Sequence, residues 1–264
     1  MGISKENDVT DFPSSLTSKG CEGCRSAPER DLEFDFAYQP IIDLRDRSVF
    51  AHEALVRGVH GEGAMSVLGQ VNDQNRYRFD QLCRTRAIAT AAQLGMTEYL
   101  SINFLPNAVY RPELCIRSTL EAARQHNFPL ERLIFETVES EQLESNRHLT
   151  HVLRQYKEYG FKTAIDDFGA GHSGLGLLAD FQPDIIKLNM ALVRNVHQDR
   201  VRQAIVRGVV GLCKELGITV IAEGIEHAQE RDFLADCGIY LMQGYWFAKP
   251  AFKALAPIPG EAWS

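Results

Sequence analysis

The sequence lacks any apolar run near the roughly 20 residues that a helical membrane span requires. Its first twenty residues, MGISKENDVTDFPSSLTSKG, also lack the apolar stretch of a secretory signal peptide. We therefore expect a cytoplasmic protein without a membrane-spanning segment. A chain of 264 residues suits one large α/β barrel of about 250 residues, or two ordinary domains.

The sequence also has no excess of basic residues. The chain has 35 acidic against 28 basic residues, a formal net charge of −7. Its overall electrostatics would not draw it onto duplex nucleic acid, so we expect no such partner. An anionic substrate would need bound metal or a local basic pocket.

The six cysteines lack the density of a disulfide framework. Cys83, Cys115 and Cys213 lie in amphipathic helical stretches and are predicted core residues. Cys21 and Cys24 form a C-x-x-C pair, but no second such pair lies nearby to complete a zinc site. Incidental thiols in a tail are favoured, with metal or redox use as the alternative.

Residues 1–31 show no apolar period and are predicted to form a flexible N-terminal tail, with one domain over 32–264. That domain opens with two apolar strands, 36–44 and 49–57, joined by the link Arg45–Ser48. Such a short link joins only antiparallel neighbours, since a parallel crossover needs a dozen or more residues.

Beyond this hairpin, helical and strand patterns alternate. Helices are predicted near 76–95, 112–127, 146–159, 173–180, 190–216 and 228–237, and strands near 99–104, 133–138, 162–166, 184–188, 219–223 and 240–247. Eight strands in this series predict a (β/α)8 TIM-like barrel whose first strand runs antiparallel to the rest. A doubly wound sheet is the alternative, but its ligands would gather at one switch point.

Polar residues stand near the outgoing ends of these apolar strands, where a charged group is costly unless it is paired or metal-bound. The set is Glu53, Asn103, Glu136, Asp166, Asp167, Lys187, Glu223 and Gln243. One acidic pair alone would indicate a helix N-cap, whereas the series predicts a ring of oxygen ligands at one barrel mouth. Such a ring suits two divalent cations and phosphate chemistry.

These residues stand in segments that resemble the EAL-domain cyclic di-GMP phosphodiesterases. The matching segments, in order over about 34–250, are Gln39–Ile42, Glu53–Arg57, Asn103, Glu136–Glu139, Asp166–Gly169, Lys187, Ala222–Gly224 and Gln243–Tyr245. The stretch 103–110 further resembles EAL domains coupled to blue-light sensors.

The resemblance implies hydrolysis of cyclic di-GMP to linear 5′-pGpG by in-line attack of water at two Mg²⁺ or Mn²⁺ ions, with Ca²⁺ inhibitory. It implies a role in bacterial signalling such as biofilm control, by lowering the level of this second messenger. The implied ligands are Glu53, Asn103, Glu136 and Asp166 for one cation, and Asp166, Asp167 and Glu223 for the other.

The resemblance assigns roles to further residues. Lys187 would orient the attacking water, while Gln39, Arg57 and Gln243 would contact substrate or a nearby water. Glu139 would steady the loop after Asp167. The family also implies a homodimer that packs through helices close to that loop.

The long predicted helix 190–216 is a candidate for the dimer interface. It presents an apolar stripe at helical spacing, formed by Val201, Ile205, Val209 and Leu212. The stripe could cover the barrel or a partner, and we expect most of it to be core.

The chain departs from the family pattern at a few positions. Asn189 replaces a usual aspartate. The loss of this carboxylate would weaken binding of the second cation, although the amide still offers an oxygen ligand. His172 replaces a common aromatic and is expected to face solvent, with metal ligation as the alternative. Gly174 and Gly176 replace usual serines, which would widen the loop's conformational range and lower basal activity.

Two other functions compete with hydrolysis of cyclic di-GMP. A degenerate EAL domain would bind the nucleotide and signal without cutting it, and completeness of the ligand set argues against this. A different metal phosphoesterase or lyase on the same barrel would lack this order of motifs.

Overall fold

The computed structural model describes residues 32–109, 111–138, 146–171 and 174–263. The strands are β1 Asp35–Asp43, β2 Ser48–Arg57, β3 Tyr99–Asn103, β4 Leu133–Val138, β5 Lys162–Phe168, β6 Ile185–Leu188, β7 Thr219–Ala222, β8 Leu241–Met242 and β9 Ala251–Phe252. The helices are α1 Met65–Leu68, α2 Arg76–Gln93, α3 Pro112–Cys115, α4 Arg117–Gln125, α5 Asn146–Glu158, α6 Gly174–Asp180, α7 Met190–Val193, α8 Arg200–Leu216 and α9 Ala228–Asp236.

Strands β2 to β8 run parallel in sequence order, and β1 closes the barrel between β8 and β2. β1 is antiparallel to both neighbours, and β9 adds a short antiparallel pairing along β1. The predicted (β/α)8 barrel with a reversed first strand is therefore confirmed. Within the described ranges, no helix combines the length and apolar character that a bilayer crossing requires.

The barrel interior contains an apolar layer to which most strands contribute one inward side chain. Its members are Ile41, Ala51, Ile134, Ala164, Ile185, Ile221 and Leu241. Because side chains alternate across a strand, the residue two positions further toward the mouth also faces inward. Those next positions hold polar residues, so the strand period itself places the polar set above an apolar floor.

The larger part of the core lies between the sheet and its covering helices. Cys83, Cys115 and Cys213 are buried there, as predicted. The tail 1–31, with Cys21 and Cys24, lies outside the described residues.

The predicted single helix over 190–216 is wrong. The chain forms α7, then turns at Asn195, whose φ of 57° is left-handed, before a 3-10 turn at Val196–Gln198. Asp199 then starts α8, since its side chain accepts the backbone N–H groups of Val201 and Arg202. Asparagine tolerates the left-handed region, and aspartate is a favoured N-cap, so the break has local causes.

Two of the four residues in the α8 stripe are exposed, although most of the stripe was expected to lie in the core. The side chains that α8 buries are Val206 and Cys213. Val201 is 69% and Ile205 43% exposed, while Val209 and Leu212 are half-buried. At 100° per residue, the exposed residues lie on one side of the buried strip and form an apolar edge facing outward.

A buried ion pair ties α2 to its surroundings. Asp80 Oδ2 lies 2.7 Å from Arg84 Nη2, and neither side chain is more than 1% exposed. Asp80 Oδ1 accepts the backbone N–H of Leu105 at 2.9 Å, and Arg84 Nη1 donates to Thr119 Oγ1 at 3.2 Å. The pair thus joins α2 to the loop after β3 and to α4.

We expect Arg84→Met to lower the free energy of unfolding by about 3–5 kcal/mol, because it leaves the Asp80 carboxylate buried without its cation. Urea denaturation followed by circular dichroism measures the loss. The control is Arg124→Met, which removes an exposed pair with Glu121 and should leave stability near that of the wild type. Equal stability of the two variants would contradict a structural role for the buried pair.

Candidate active site

The polar residues predicted from the strand ends converge at one mouth of the barrel. Glu53 follows the inward Ala51 by two positions on β2, and Glu136 follows Ile134 in the same way on β4. The same two-residue step gives Asp166, Lys187, Glu223 and Gln243 on or just after the later strands. On the reversed β1, the step runs backward from Ile41 to Gln39, which pairs with Glu53 in register.

Lys187 lies at the centre of this ring and is fully buried. Its Nζ contacts four carboxylates: Glu223 at 2.6 Å, Glu136 at 2.9 Å, and both Glu53 and Asp166 at 3.3 Å. Burial alone would lower the pKa of Lys187, but these carboxylates outweigh it and raise that pKa well above its ordinary value. One ammonium therefore faces several carboxylates and cannot neutralise them all.

Glu136 is held at both of its oxygens. Lys187 contacts Oε2, and the buried hydroxyl of Ser101 donates to Oε1. Burial and the neighbouring carboxylates raise the pKa of Glu136 to about 7, although Lys187 opposes the shift. Burial likewise raises the pKa of Glu223. The excess of negative charge is thus costly in the protein alone, and bound cations would relieve it.

Carboxylate oxygens of this ring form two groups of the size that a cation requires. One contains Glu53, Glu136 and Asp166, and the other Asp166, Asp167 and Glu223; within each group, the ligand atoms lie within 4.8 Å of one another. The groups share Asp166, as the two predicted ligand sets do. Hard oxygen donors of this kind suit Mg²⁺, Mn²⁺ or Ca²⁺.

A backbone irregularity lets two consecutive aspartates serve the same mouth. Strand alternation would send Asp166 and Asp167 to opposite faces. Instead, the register of β5 against β6 shifts between Ile165 and Phe168, and Asp167 adopts a left-handed φ of 55°. Asp166 Oδ1 accepts the Asp167 backbone N–H at 2.9 Å, which stabilises this turn.

Two amide side chains hydrogen-bond Glu53 of the first group. Asn103 Nδ2 donates to Glu53 Oε1, and Gln243 Nε2 donates to Glu53 Oε2, both at 2.9 Å. Gln243 Nε2 also lies 3.1 Å from Gln39 Oε1. Gln243 Oε1 is buried and has no hydrogen-bond partner among the described residues. This oxygen is therefore available to accept a hydrogen bond from water or a ligand.

A pocket of about 260 Å³ opens above these residues. Its lining includes Gln39, Glu53, Asp167, Glu223 and Gln243, together with Met190, Gly224, Glu226, Gly244 and Tyr245. A Cβ added at Gly244 would overlap the backbone N and O of Ile225, so this position needs glycine to let the loops after β7 and β8 touch. That contact holds Glu223 and Gln243 side by side.

The structure does not bring every predicted residue into this pocket. Arg57 ends β2 on the face of Glu53 and donates to the carbonyl of Val56 at 2.7 Å, but it is not among the pocket's described lining residues. Glu139 and His172 lie outside the described residues, so their expected roles stay predictions. Gly174 and Gly176 start α6 rather than extending the loop.

Sequence reasoning missed Ser101 and misjudged Asn189. The signal for Ser101 was its position two residues before Asn103, which makes it inward-facing on β3. Asn189 was expected to offer an oxygen ligand, but the atom it turns toward the acidic residues is Nδ2, 2.6 Å from Asp167 Oδ1.

Comparison with known proteins agrees with this geometry. A family model described as "EAL domain" matches residues 24–250. The blue light- and temperature-regulated antirepressor BluF of Escherichia coli is 32% identical over 254 residues, which cover 96% of this chain and 62% of BluF. The cyclic di-GMP phosphodiesterase PdeR of the same species is 38% identical over 130 residues, 49% of this chain and 20% of PdeR. The chain thus spans less than two thirds of either relative.

Solved structures resemble the whole barrel. A standalone EAL protein from Vibrio cholerae, crystallised with cyclic di-GMP, is 51% identical with a TM-score of 0.86, over 89% of this chain and 100% of that one. BlrP1 of Klebsiella pneumoniae, in a complex with manganese and cyclic di-GMP, is 35% identical with a TM-score of 0.81, over 88% of this chain and 59% of BlrP1. A calcium complex of BlrP1 gives the same TM-score of 0.81.

Proposed function

Because this chain belongs to the EAL-domain family, we propose that it hydrolyses cyclic di-GMP to linear 5′-pGpG with two Mg²⁺ or Mn²⁺ ions. The observation that carries the proposal is the pair of acidic groups that share Asp166. When bound, two such cations neutralise phosphate charge and activate water for in-line displacement. Relatives named as phosphodiesterases, and EAL structures named with cyclic di-GMP, support the substrate.

The site residues would have different roles in this reaction. Glu53, Glu136 and Asp166, with Asn103, would hold one cation, and Asp166, Asp167 and Glu223 the other. Lys187 contacts carboxylates of both groups, so its ammonium keeps them close before any cation arrives. Its ammonium would also orient the attacking water.

Substrate contacts would come from the pocket rim. Gln243, with its unpartnered Oε1, and Gln39 beside it would bind a water or a substrate oxygen. Arg57 lies on the same face of β2 as Glu53, and its guanidinium would bind a phosphate oxygen. Because the net charge of the chain is negative, this local cation and the metals would supply the attraction for the anionic substrate.

A second function, nucleotide binding without cleavage, competes with hydrolysis. BluF is named an antirepressor rather than an enzyme, and its match covers nearly the whole chain. The complete set of acidic residues, with Lys187, supports hydrolysis. A protein that only binds the nucleotide would not need the two acidic groups that share Asp166. If the purified protein binds cyclic di-GMP but forms no linear product with Mg²⁺ or Mn²⁺, the receptor function is correct.

We expect Glu53→Ala and Asp166→Ala each to lower turnover by about 10³-fold or more, since each removes a ligand from the proposed two-cation site. Chromatography of the linear product measures turnover, and circular dichroism checks the fold. Glu131→Ala is the control, an exposed carboxylate just before β4 at the opposite end of the barrel. If either site variant retained near wild-type turnover, the ligand assignment would be wrong.

We expect Ca²⁺ to support cyclic di-GMP binding but to inhibit cleavage. Calcium accepts the same oxygen donors, yet its longer bonds and looser geometry activate water less than Mg²⁺ does. Calorimetric binding in Ca²⁺, alongside product formation in Mg²⁺ with increasing Ca²⁺, measures both effects. Turnover in Ca²⁺ equal to that in Mg²⁺ would overturn this cation dependence.

The proposed function includes a homodimer. Leu175 on α6 is 67% exposed and Met190 on α7 is 46% exposed, and both follow strands that supply site residues. Val201 and Ile205 on α8 are exposed as well. A partner covering these residues would bury an apolar edge and would lie next to the loop after Asp167.

We expect light scattering to give twice the mass of one chain for the wild type, and a monomer for Ile205→Glu, because a carboxylate would be buried in the apolar interface. Lys214→Glu is the control, an exposed charge change about 180° around α8 from Ile205. A fully active wild-type monomer would refute the dimer.

A further inference from the structure

Asn189 stands at the second acidic group with both ends of its amide occupied. It follows β6 two positions after Lys187 and is half-buried. Its Nδ2 lies 2.6 Å from Asp167 Oδ1, and its Oδ1 accepts the backbone N–H of Ala191 at 2.7 Å. Asn189 therefore caps α7 with one end and holds Asp167 with the other.

These two partners determine the orientation of the amide. Rotating it by 180° would place the NH₂ group against the Ala191 N–H and the amide oxygen against the Asp167 carboxylate. Both contacts would be repulsive, so Asn189 is locked as a donor to Asp167. Its oxygen faces the start of α7, which explains why Asn189 is not the oxygen ligand that the sequence suggested.

This donor acts on one of the proposed cation ligands. Asp167 shares the second acidic group with Asp166 and Glu223. A neutral N–H donor satisfies one oxygen of Asp167 without any cation, whereas a carboxylate at position 189 would repel it until a cation bound between them. An amide at position 189 thus stabilises the cation-free form, whereas a carboxylate there would stabilise the cation-bound form.

We propose that Asn189 is a positioning residue that hydrogen-bonds Asp167 in the cation-free protein, stabilises that form and thereby weakens binding at the second cation site. This inference rests on the proposed two-cation function. Filling of the second site then becomes the step that responds to the concentration of Mg²⁺ or Mn²⁺. The cation supply, rather than the nucleotide alone, would set the active fraction of the protein.

The test is Asn189→Asp, because aspartate also caps helices well and so preserves the start of α7 while exchanging a donor for a charge. Titration of the metal-free protein with Mn²⁺, followed by electron paramagnetic resonance of the free ion, gives the number of sites and each affinity. Thermal unfolding in chelator gives the stability of the cation-free form. The control is Asn127→Asp, an exposed left-handed residue ahead of β4.

We expect the wild type to bind two Mn²⁺ ions and Asn189→Asp to bind the weaker one about tenfold or more tightly, from one added charge at contact distance. The same variant should melt at a lower temperature in chelator and recover on adding Mn²⁺. Asn127→Asp should change neither quantity.

Each contrary outcome has its own meaning. Two Mn²⁺ ions bound with no gain in affinity for Asn189→Asp would overturn the role of Asn189. Fewer than two ions bound by the wild type would overturn the two-cation premise and this inference with it. Two ions bound with the expected gain, but no cleavage of cyclic di-GMP, would uphold the role of Asn189 and overturn only the proposed hydrolysis.

Discussion

The contact of one buried ammonium with four carboxylates is the constraint on which the barrel mouth depends. Lys187 reaches Glu53, Glu136, Asp166 and Glu223 from the centre of the ring. Without it, the acidic side chains would repel one another inside a closed barrel. Lys187 alone does not neutralise the four carboxylates, so the mouth keeps an excess of negative charge that bound cations would relieve. The ring is therefore held together by one ammonium and still has carboxylate groups of the size that a cation requires.

The barrel produces this arrangement from a simple period. An apolar inward residue on most strands makes a floor, and the next inward residue on the same strand carries the polar group. No long loop is required to bring the ligands together. The exceptions are local: the left-handed turn at Asp167 adds a second aspartate to the mouth, and the Gly244–Ile225 contact brings the ends of β7 and β8 together. The polar ring is thus a property of the strands, adjusted at two points.

The strand period explains why so much was predictable from sequence. A charged residue inside an apolar run is a strong signal, so Glu53, Glu136 and Lys187 were evident, as was the reversed first strand from its short link. Other features carry weaker signals. Ser101 is a small polar residue among many, and the orientation of the Asn189 amide depends on an α7 N–H that only the folded chain supplies. The break before α8 was overlooked because the apolar pattern continues across Asn195 and Asp199.

The reversed first strand has a consequence for how the barrel forms. Strand β1 joins β2, near the start of the domain, to β8, near its end. Within the mouth, Gln243 meets Glu53 across 190 positions of sequence and Gln39 across 204. Contacts between such distant segments form late in folding, after the loop-closure entropy has been overcome. During synthesis, the parallel strands can assemble in order while the ring of ligands is still open, and only emergence of β8 closes the barrel and completes the site.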